Sequence, residues 1–441
     1  MTAHPFTIHN YRAYWIARFA STLASLSMVV VIGWQVYDIA RQTMGVQQAA
    51  LQLGLVGLAQ FLPLLILSLV AGWVADRIDR RWIIRAAILL EVVCASLLAW
   101  LTASDAITLP ALFGIAALLG VGRAFAGPAL SALAPNLVPK DALPTAIALS
   151  ALAWQVGSIG GPALGGYLYA ADRALPYQVS AAMFVLSLTM MLLVTRVPRA
   201  NMKSGANPFA QMADGLRYVK QNRLVLGAIS LDMFAVLLGG ATAMLPIYAR
   251  DILHIGADGL GHLRAAPAVG AVAVALVLSW RPLKTNVGTK MLWSVVGFGL
   301  ATAVFGWAGP VMTAWWGPAM VGSDTAPAVL VSLVALAALG AFDMISVYVR
   351  GSLIQLYTPD AMRGRVGAVS TLFISSSNEL GEARAGFLAA AIGPVIATAG
   401  GGVLAVLVTA LWARIFPELQ RARTFDPPVE LVEPMPEETK T

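Results

Sequence analysis

Charge is scarce in this chain of 441 residues: 12% are Asp, Glu, Lys or Arg, against 59% that are hydrophobic. A water-facing fold cannot bury that much apolar side chain, and the mean hydropathy of +0.76 makes lipid the solvent. Cysteine occurs once, as Cys94, which excludes a disulfide framework and a thiolate metal site. The histidines, His4, His9, His254 and His262, are unclustered and fall at or outside the ends of apolar runs. No Gly-x-x-x-x-Gly-Lys-Ser/Thr loop is present, so ATP is not hydrolysed on this chain. Nor is there a Ser/His/Asp set or a cofactor loop, which argues against an enzyme. A net charge of +7 would point to nucleic acid in a soluble protein; here it belongs to loops facing the cytoplasm, and nucleic acid is not an expected partner.

What the chain does have is a succession of apolar runs. A helix needs roughly 20 residues to cross a bilayer, so about twelve spans with short loops take up most of the length. The runs fall at about 13–40, 49–75, 82–103, 109–137, 143–169 and 177–194, then at about 224–248, 262–280, 291–308, 328–357, 366–392 and 395–416. The first is too long for a signal-peptide core and lacks a cleavage site, so it is retained as a span. Between the two sets, 196–223 is a polar linker in which Phe209, Met212, Leu216 and Val219 share one side of an amphipathic helix. The Pro- and Glu-rich residues 417–441 read as a disordered tail. The expected division is therefore a bundle at 1–195, a linker at 196–223, a bundle at 224–416 and a tail at 417–441. Roughly 21 of the 29 Lys and Arg lie in the even loops, the linker and the termini, against about four in the odd loops, which places both termini in the cytoplasm.

The two sets of spans match at an offset of 220 residues, which pairs Pro139 with Pro359, Ser150 with Ser370, Gly161 with Gly381 and Gly166 with Gly386. Two parallel six-span repeats make an all-α membrane protein of two pseudo-symmetric six-helix bundles. Gly72, Asp76, Arg77, Arg80 and Arg81 form a burst of charge at the end of an apolar run and mark a tight turn between spans two and three. Their pattern, Gly-x-x-x-Asp-Arg-x-x-Arg-Arg, resembles the signature loop of the major facilitator superfamily, with Asp79 where that family usually has a second glycine. The resemblance implies an inner gate. In span five, Gly157, Gly161 and Gly165 recur every four residues and present a flat strip; span eight, through Ala265, Ala268 and Ala271 or Gly270, is the expected partner. With Pro162 and Gly166, this stretch resembles the antiporter motif of exporting major facilitators and implies export.

Ionisable groups within spans each cost roughly 3 kcal/mol at the bilayer centre and persist only when paired or facing water. The basic ones are Arg18, Arg123, Arg350 and Arg384, and the acidic ones Glu91, Asp232, Asp343, Glu379 and Glu382. Arg123 begins a stretch that resembles the family's fourth-span Arg-x-x-x-Gly motif, implicated there in proton coupling, with Ala126 replacing the usual glutamine. A carboxylate beside a permanently charged guanidinium can gain or lose a proton and so switch the pair. With no histidine in mid-membrane, Asp232, Asp343, Glu379 and Glu382 are the candidate carriers. Asp343 and Arg350 share a face of span ten, as Glu379 and Glu382 do on span eleven, and Glu382 occupies the repeat position of Pro162.

Asn10-Tyr11-Arg12, Leu231-Asp232 through Pro246, Leu263 through Gly270, Asp343 through Ser346, Thr358 through Val366 and Asn378 through Glu382 together resemble the enterobactin-exporter branch of the major facilitators, from about 11 to 414. That branch implies proton-driven efflux of amphipathic small molecules, siderophores and drugs among them, from the bacterial cytoplasmic membrane by alternating access. The proton gradient stands in for any cofactor, and a monomer is expected. A catecholate siderophore, anionic and aromatic, suits a cavity with Arg18, Arg123, Arg350 or Arg384, Glu91, Trp34, Trp154 and Phe234. A lysophospholipid suits it equally, and a non-transporting sensor of the same fold remains the other alternative.

Overall fold

The computed structural model describes residues 4–139, 142–195 and 208–425, which are helical with short connections. The first six spans are His9–Thr43, Val46–Arg77, Arg80–Ala103, Leu109–Leu133, Leu143–Ala171 and Leu175–Leu193. Span seven begins as Arg223–Gly239 and continues irregularly to Ile252; spans eight to twelve are Gly256–Trp280, Val287–Trp316, Pro327–Leu356, Asp360–Ile392 and Pro394–Ile415. Among the described residues, ten of these helices are long and apolar enough to cross a membrane on their own. The fifth and eleventh complete the twelve, and the eleventh is the one that carries Glu379, Glu382 and Arg384. Proline opens spans four, five, six, ten and twelve within the first turn, where its missing N–H has no helical acceptor to lose.

Because the spans alternate in direction, the start of span one lies beside the end of span six, where Asn10 donates to Thr195 at 2.9 Å. This side is called the terminal face below, and the other the distal face. One hydrophobic core runs through the first half and continues into the distal ends of the second, joining Ile88 and Leu98 to Leu245, Leu263, Phe305 and Leu336. A separate core holding Val225, Met291, Leu353, Val366 and Leu419 fills the terminal end of the second half. The core that joins the halves therefore lies on the distal side, and among the described residues the terminal end of the second half has a hydrophobic core of its own.

The seal is made of backbone against backbone. A Cβ on Gly54 of span two would lie 3.0 Å from the Ala383 carbonyl and 3.1 Å from Cα of Gly386 in span eleven. A Cβ on Gly166 of span five would lie 2.7 Å from Cα of Gly261 in span eight. Gly166 and Gly386 are the repeat-related pair, so the 220-residue offset reappears as two equivalent crossings. Gly161 and Gly381 behave alike too: the first meets the Leu23 carbonyl of span one, the second the Val236 carbonyl of span seven at 3.1 Å.

Three expectations change. The strip Gly157, Gly161 and Gly165 packs on Thr22, Leu23, Leu26 and Ser27 of span one, within its own half; only Gly166 reaches span eight, and Gly270 packs instead on the Ala337 carbonyl of span ten. The linker helix, Pro208–Gln221, does have two unlike sides, but Gly215 and Val219 are buried while Leu216 is exposed. It docks onto span eleven, with the Cβ position of Gly215 2.8 Å from the Arg365 carbonyl, and Tyr218 donates to the Tyr357 carbonyl at 2.9 Å. Residues 417–425 do not begin a disordered tail: Pro417–Arg421 is helical, Leu419 is fully buried and Gly288 donates its N–H to the Ala422 carbonyl at 3.0 Å. The remainder of the expected tail, 426–441, and the first part of the linker, 196–207, lie outside the described residues.

Candidate functional site

Spans three, four, eight and eleven bring ionisable side chains together where the halves meet. Arg123 of span four donates from Nη2 to Oε1 of Glu379 in span eleven at 2.9 Å, an ion pair that joins the two bundles. One turn further along span eleven, Glu382 lies beside Gly57 of span two and within electrostatic reach of Arg123, Glu379 and Arg264. Arg264 comes from span eight, and its Nε finds no hydrogen-bond partner among the described residues. On the other side of Arg123, the buried Glu91 packs its Cγ 3.2 Å from where a Cβ on Gly122 would lie, and its Oε1 is 3.5 Å from the Ser25 hydroxyl. Glu91 Oε2 and Arg123 Nη1 have no hydrogen-bond partner among the described residues. Two arginines and three carboxylates thus share one site with hydrogen-bonding capacity unused, an arrangement that can exchange partners.

Arg264 was missed as a site residue in the sequence because it sits close to the start of span eight, where a basic residue reads as a loop charge. The better signal was its neighbour Pro267, whose place inside the helix shows that Arg264 is already several residues into the span.

A second charged group is confined to the second half. Asp232 of span seven is ion-paired with Arg350 of span ten, and both side chains are 6% exposed. Asp343 and Ser346, on the same face of span ten, join Asp232 around a cavity of about 10 Å³, the room of about one water molecule. Arg384 does something different: it donates to the Leu238 carbonyl, which lies in the last turn of span seven's first helix and has lost its intrahelical donor. The break at Gly239 and Gly240 is thereby bridged by a side chain from span eleven.

Several expected cavity residues lie elsewhere. Trp34 is 5% exposed and packs edge-on against Tyr169 near the distal face. Phe234 packs on Trp412 of span twelve, ring centroids 5.0 Å apart. Arg18 donates to the Tyr14 hydroxyl at 2.9 Å within its own helix, and Trp154 is half exposed on span five. In the loop between spans two and three, Asp79 caps span three by accepting from Arg81 N–H at 3.0 Å and pairs with the Arg81 guanidinium at 2.7 Å. Arg81 and Arg85 also reach carbonyls at the end of span six, where a cation complements the helix dipole. The departure at Asp79 therefore has a structural use. The side chains of Asp76 and Arg77 lie outside the described residues.

At the distal face, spans one and seven exchange charges reciprocally. Arg41 pairs with Asp251 at 2.8 Å, Tyr37 donates to the same carboxylate at 2.5 Å, and Arg250 pairs with Asp38. The sequence reading singled out none of these residues; opposite signs at equivalent ends of two repeat-related spans were the available clue.

Two six-helix bundles closed at one end, with an ion pair bridging them at the centre, define a secondary transporter of the major facilitator class, not an enzyme, and one that needs no cofactor. Within that class, a family model described as a transmembrane secretion effector matches residues 1–435, and the chain belongs to that family. Its relatives include the enterobactin exporter EntS of Citrobacter koseri, 28% identical over 424 residues that make up 95% of this chain and 94% of that protein. The enterobactin exporter EntS of Salmonella typhimurium is 28% identical over 422 residues, with the same coverage. Among solved structures the fold is similar to a D-xylose–proton symporter, with a TM-score of 0.69 at 15% identity over 95% of this chain and 99% of that one. It is also similar to a bacterial homolog of the human lysosomal transporter Spinster, with a TM-score of 0.65 at 15% identity over 94% and 97%.

Proposed function

We propose that this transporter is a proton-driven antiporter that exports an amphipathic small molecule, a siderophore or a drug, across the bacterial cytoplasmic membrane. Both termini are cytoplasmic in this reading, as the excess of basic residues on that side suggests, and the distally closed arrangement is the inward-open state. The single observation that carries the proposal is the Arg123–Glu379 pair, since it joins the two bodies that must rock against each other. When Glu379 takes up a proton it loses its negative charge and the ionic attraction is lost with it, so Arg123 is released toward Glu91 or Glu382. Substrate binding and protonation then compete for the same guanidinium, which is the requirement for exchange. The relatives named enterobactin exporters support a cargo that is aromatic and anionic, matched to Arg123 and Arg264. The protein acts as a monomer in this scheme.

The test is proton flux in proteoliposomes under an imposed pH gradient, with siderophores and lipophilic drugs added in turn. Substrate-dependent flux that disappears in Arg123→Ala and in Glu379→Gln is the expected result. Full gradient-dependent efflux in both variants would overturn the assignment.

A further inference from the structure

The linker helix, Pro208–Gln221, turns one side to span eleven and leaves the other uncovered. Gly215 and Val219 face inward, whereas Ala213, Leu216, Arg217 and Lys220 are exposed, the Arg217 side chain to 72% and Leu216 to 46%. Positive charge is left over on that outer side. The carboxylate within reach, Asp214, is shared between two guanidiniums, 3.8 Å from Arg217 and 3.4 Å from Arg365. An exposed leucine flanked by two cations suits a partner that alternates carboxylates with apolar residues.

Such a segment belongs to this chain and starts beside the helix. The described residues end at Phe425, whose ring meets Tyr348 edge-on with centroids 6.0 Å apart. Just before it, the Thr424 carbonyl lies 3.4 Å from the Tyr357 hydroxyl, and the carbonyl of the same tyrosine accepts from Tyr218 of the linker helix at 2.9 Å. Tyr357 alone therefore links the linker helix to the place where residues 426–441 depart. Those residues carry five carboxylates, Asp426, Glu430, Glu433, Glu437 and Glu438, against Lys440, and they set Val429, Leu431 and Val432 beside Glu430 and Glu433. From Phe425 to Glu433 the chain extends to at most about 28 Å. A helix with its side chains is about 10–12 Å across, so both glutamates reach its outer side.

We propose that residues 426–441 dock on the outer side of the linker helix, with Glu430 and Glu433 against Arg217 and Lys220 and the apolar residues between them over Leu216. Exposed ion pairs are weak one by one, but the tether holds these carboxylates at an effective concentration in the millimolar range, which fills a weak site. The preceding residues 417–425 already pack on spans seven and nine, where Leu419 meets Gly227 and Gly288. Docking of 426–441 extends that strap over the linker helix and makes the helix travel with the second half when the halves move. The proposal depends neither on the exported cargo nor on proton coupling.

Hydrogen exchange of the amides of 212–221, read by mass spectrometry in phosphatidylcholine nanodiscs, tests the contact. A chain ending at Phe425 should exchange there about fivefold faster than the full chain, the size of two exposed ion pairs. Glu430→Gln/Glu433→Gln in the full chain should do the same. In Arg217→Gln/Lys220→Gln the truncation should change nothing further, because the two sides act as one contact. Raising KCl to about 1 M should erase the difference between the full and shortened chains. The glutamine variants keep the whole chain, so a loss of stability on shortening leaves the test standing. Equal exchange in the full chain, the shortened chain and Glu430→Gln/Glu433→Gln overturns the proposal, as does an acceleration on shortening that persists in Arg217→Gln/Lys220→Gln. Slower exchange in phosphatidylglycerol nanodiscs that is unchanged by shortening overturns it too, and assigns the face to lipid headgroups.

Discussion

Replacing Gly166 by valine tests the distal seal directly. A Cβ at that position would lie 2.7 Å from Cα and 3.0 Å from N of Gly261, and both are backbone atoms that cannot rotate away. Ordinary contact begins near 3.4 Å, so spans five and eight must part by about 0.7 Å before the two remaining carbons of the valine are placed. Forcing methyl groups into a packed contact costs about 1–3 kcal/mol, and this cost falls only on the distally closed arrangement. The ratio of closed to open molecules should then drop about 5- to 150-fold. Double electron–electron resonance between labels at Ser104→Cys and Ser323→Cys, in a Cys94→Ser background, would show the longer distance gaining population. Gly114→Val is the control, because a Cβ there meets nothing within 4 Å. If Gly166→Val and Gly114→Val give the same distance distribution as the parent, the glycine crossing does not hold the distal face shut.

Three further outcomes follow from the charges and the terminal packing. Asp232→Asn leaves the Arg350 guanidinium buried without its counter-charge and should destabilise the protein by about 3–5 kcal/mol, while Asp232→Leu combined with Arg350→Met should recover most of that loss in thermal unfolding. Asp251→Asn removes the carboxylate shared by Tyr37 and Arg41 and should lengthen the same distal label distance, an effect that Glu418→Gln on the terminal face should not reproduce. Leu419→Ala should cost about 2–5 kcal/mol of stability, as expected for a fully buried leucine; a cost below 1 kcal/mol would mean that 417–425 is not docked in solution.

Twelve spans, two halves and their repeat were legible in the sequence because apolar run length, loop charge and a fixed offset are all one-dimensional signals. Which helices touch is not one-dimensional. The strip of glycines in span five announced a close approach, but Ala265, Ala268 and Leu23 offer equally compatible surfaces on paper, and only the packing assigned the strip to span one. Arg123, Glu379 and Glu382 stand out in the sequence because a charge inside an apolar run is conspicuous, and the structure brings the three together. Arg264, Arg250 and Asp251 escaped because they lie near span ends, where charge is cheap and carries little information. Trp34 and Phe234 were misplaced for the opposite reason: an aromatic ring is at home against lipid, a neighbouring helix or a ligand, and its identity alone does not choose among them.

The crossings at Gly54 with Gly386 and at Gly166 with Gly261 also set a direction for change in this molecule. No residue is smaller than glycine, so substitution at these four positions can add atoms to the distal contact and never remove them. Mutational drift there acts as a ratchet: each accepted step biases the resting molecule toward the distally open form, and none biases it the other way. Compensation has to come from the ionic pairs around Asp38 and Asp251, which can be strengthened or weakened by single exchanges. The balance between the two resting states is thus adjustable in one direction at the helix crossings and in both directions only at the charges.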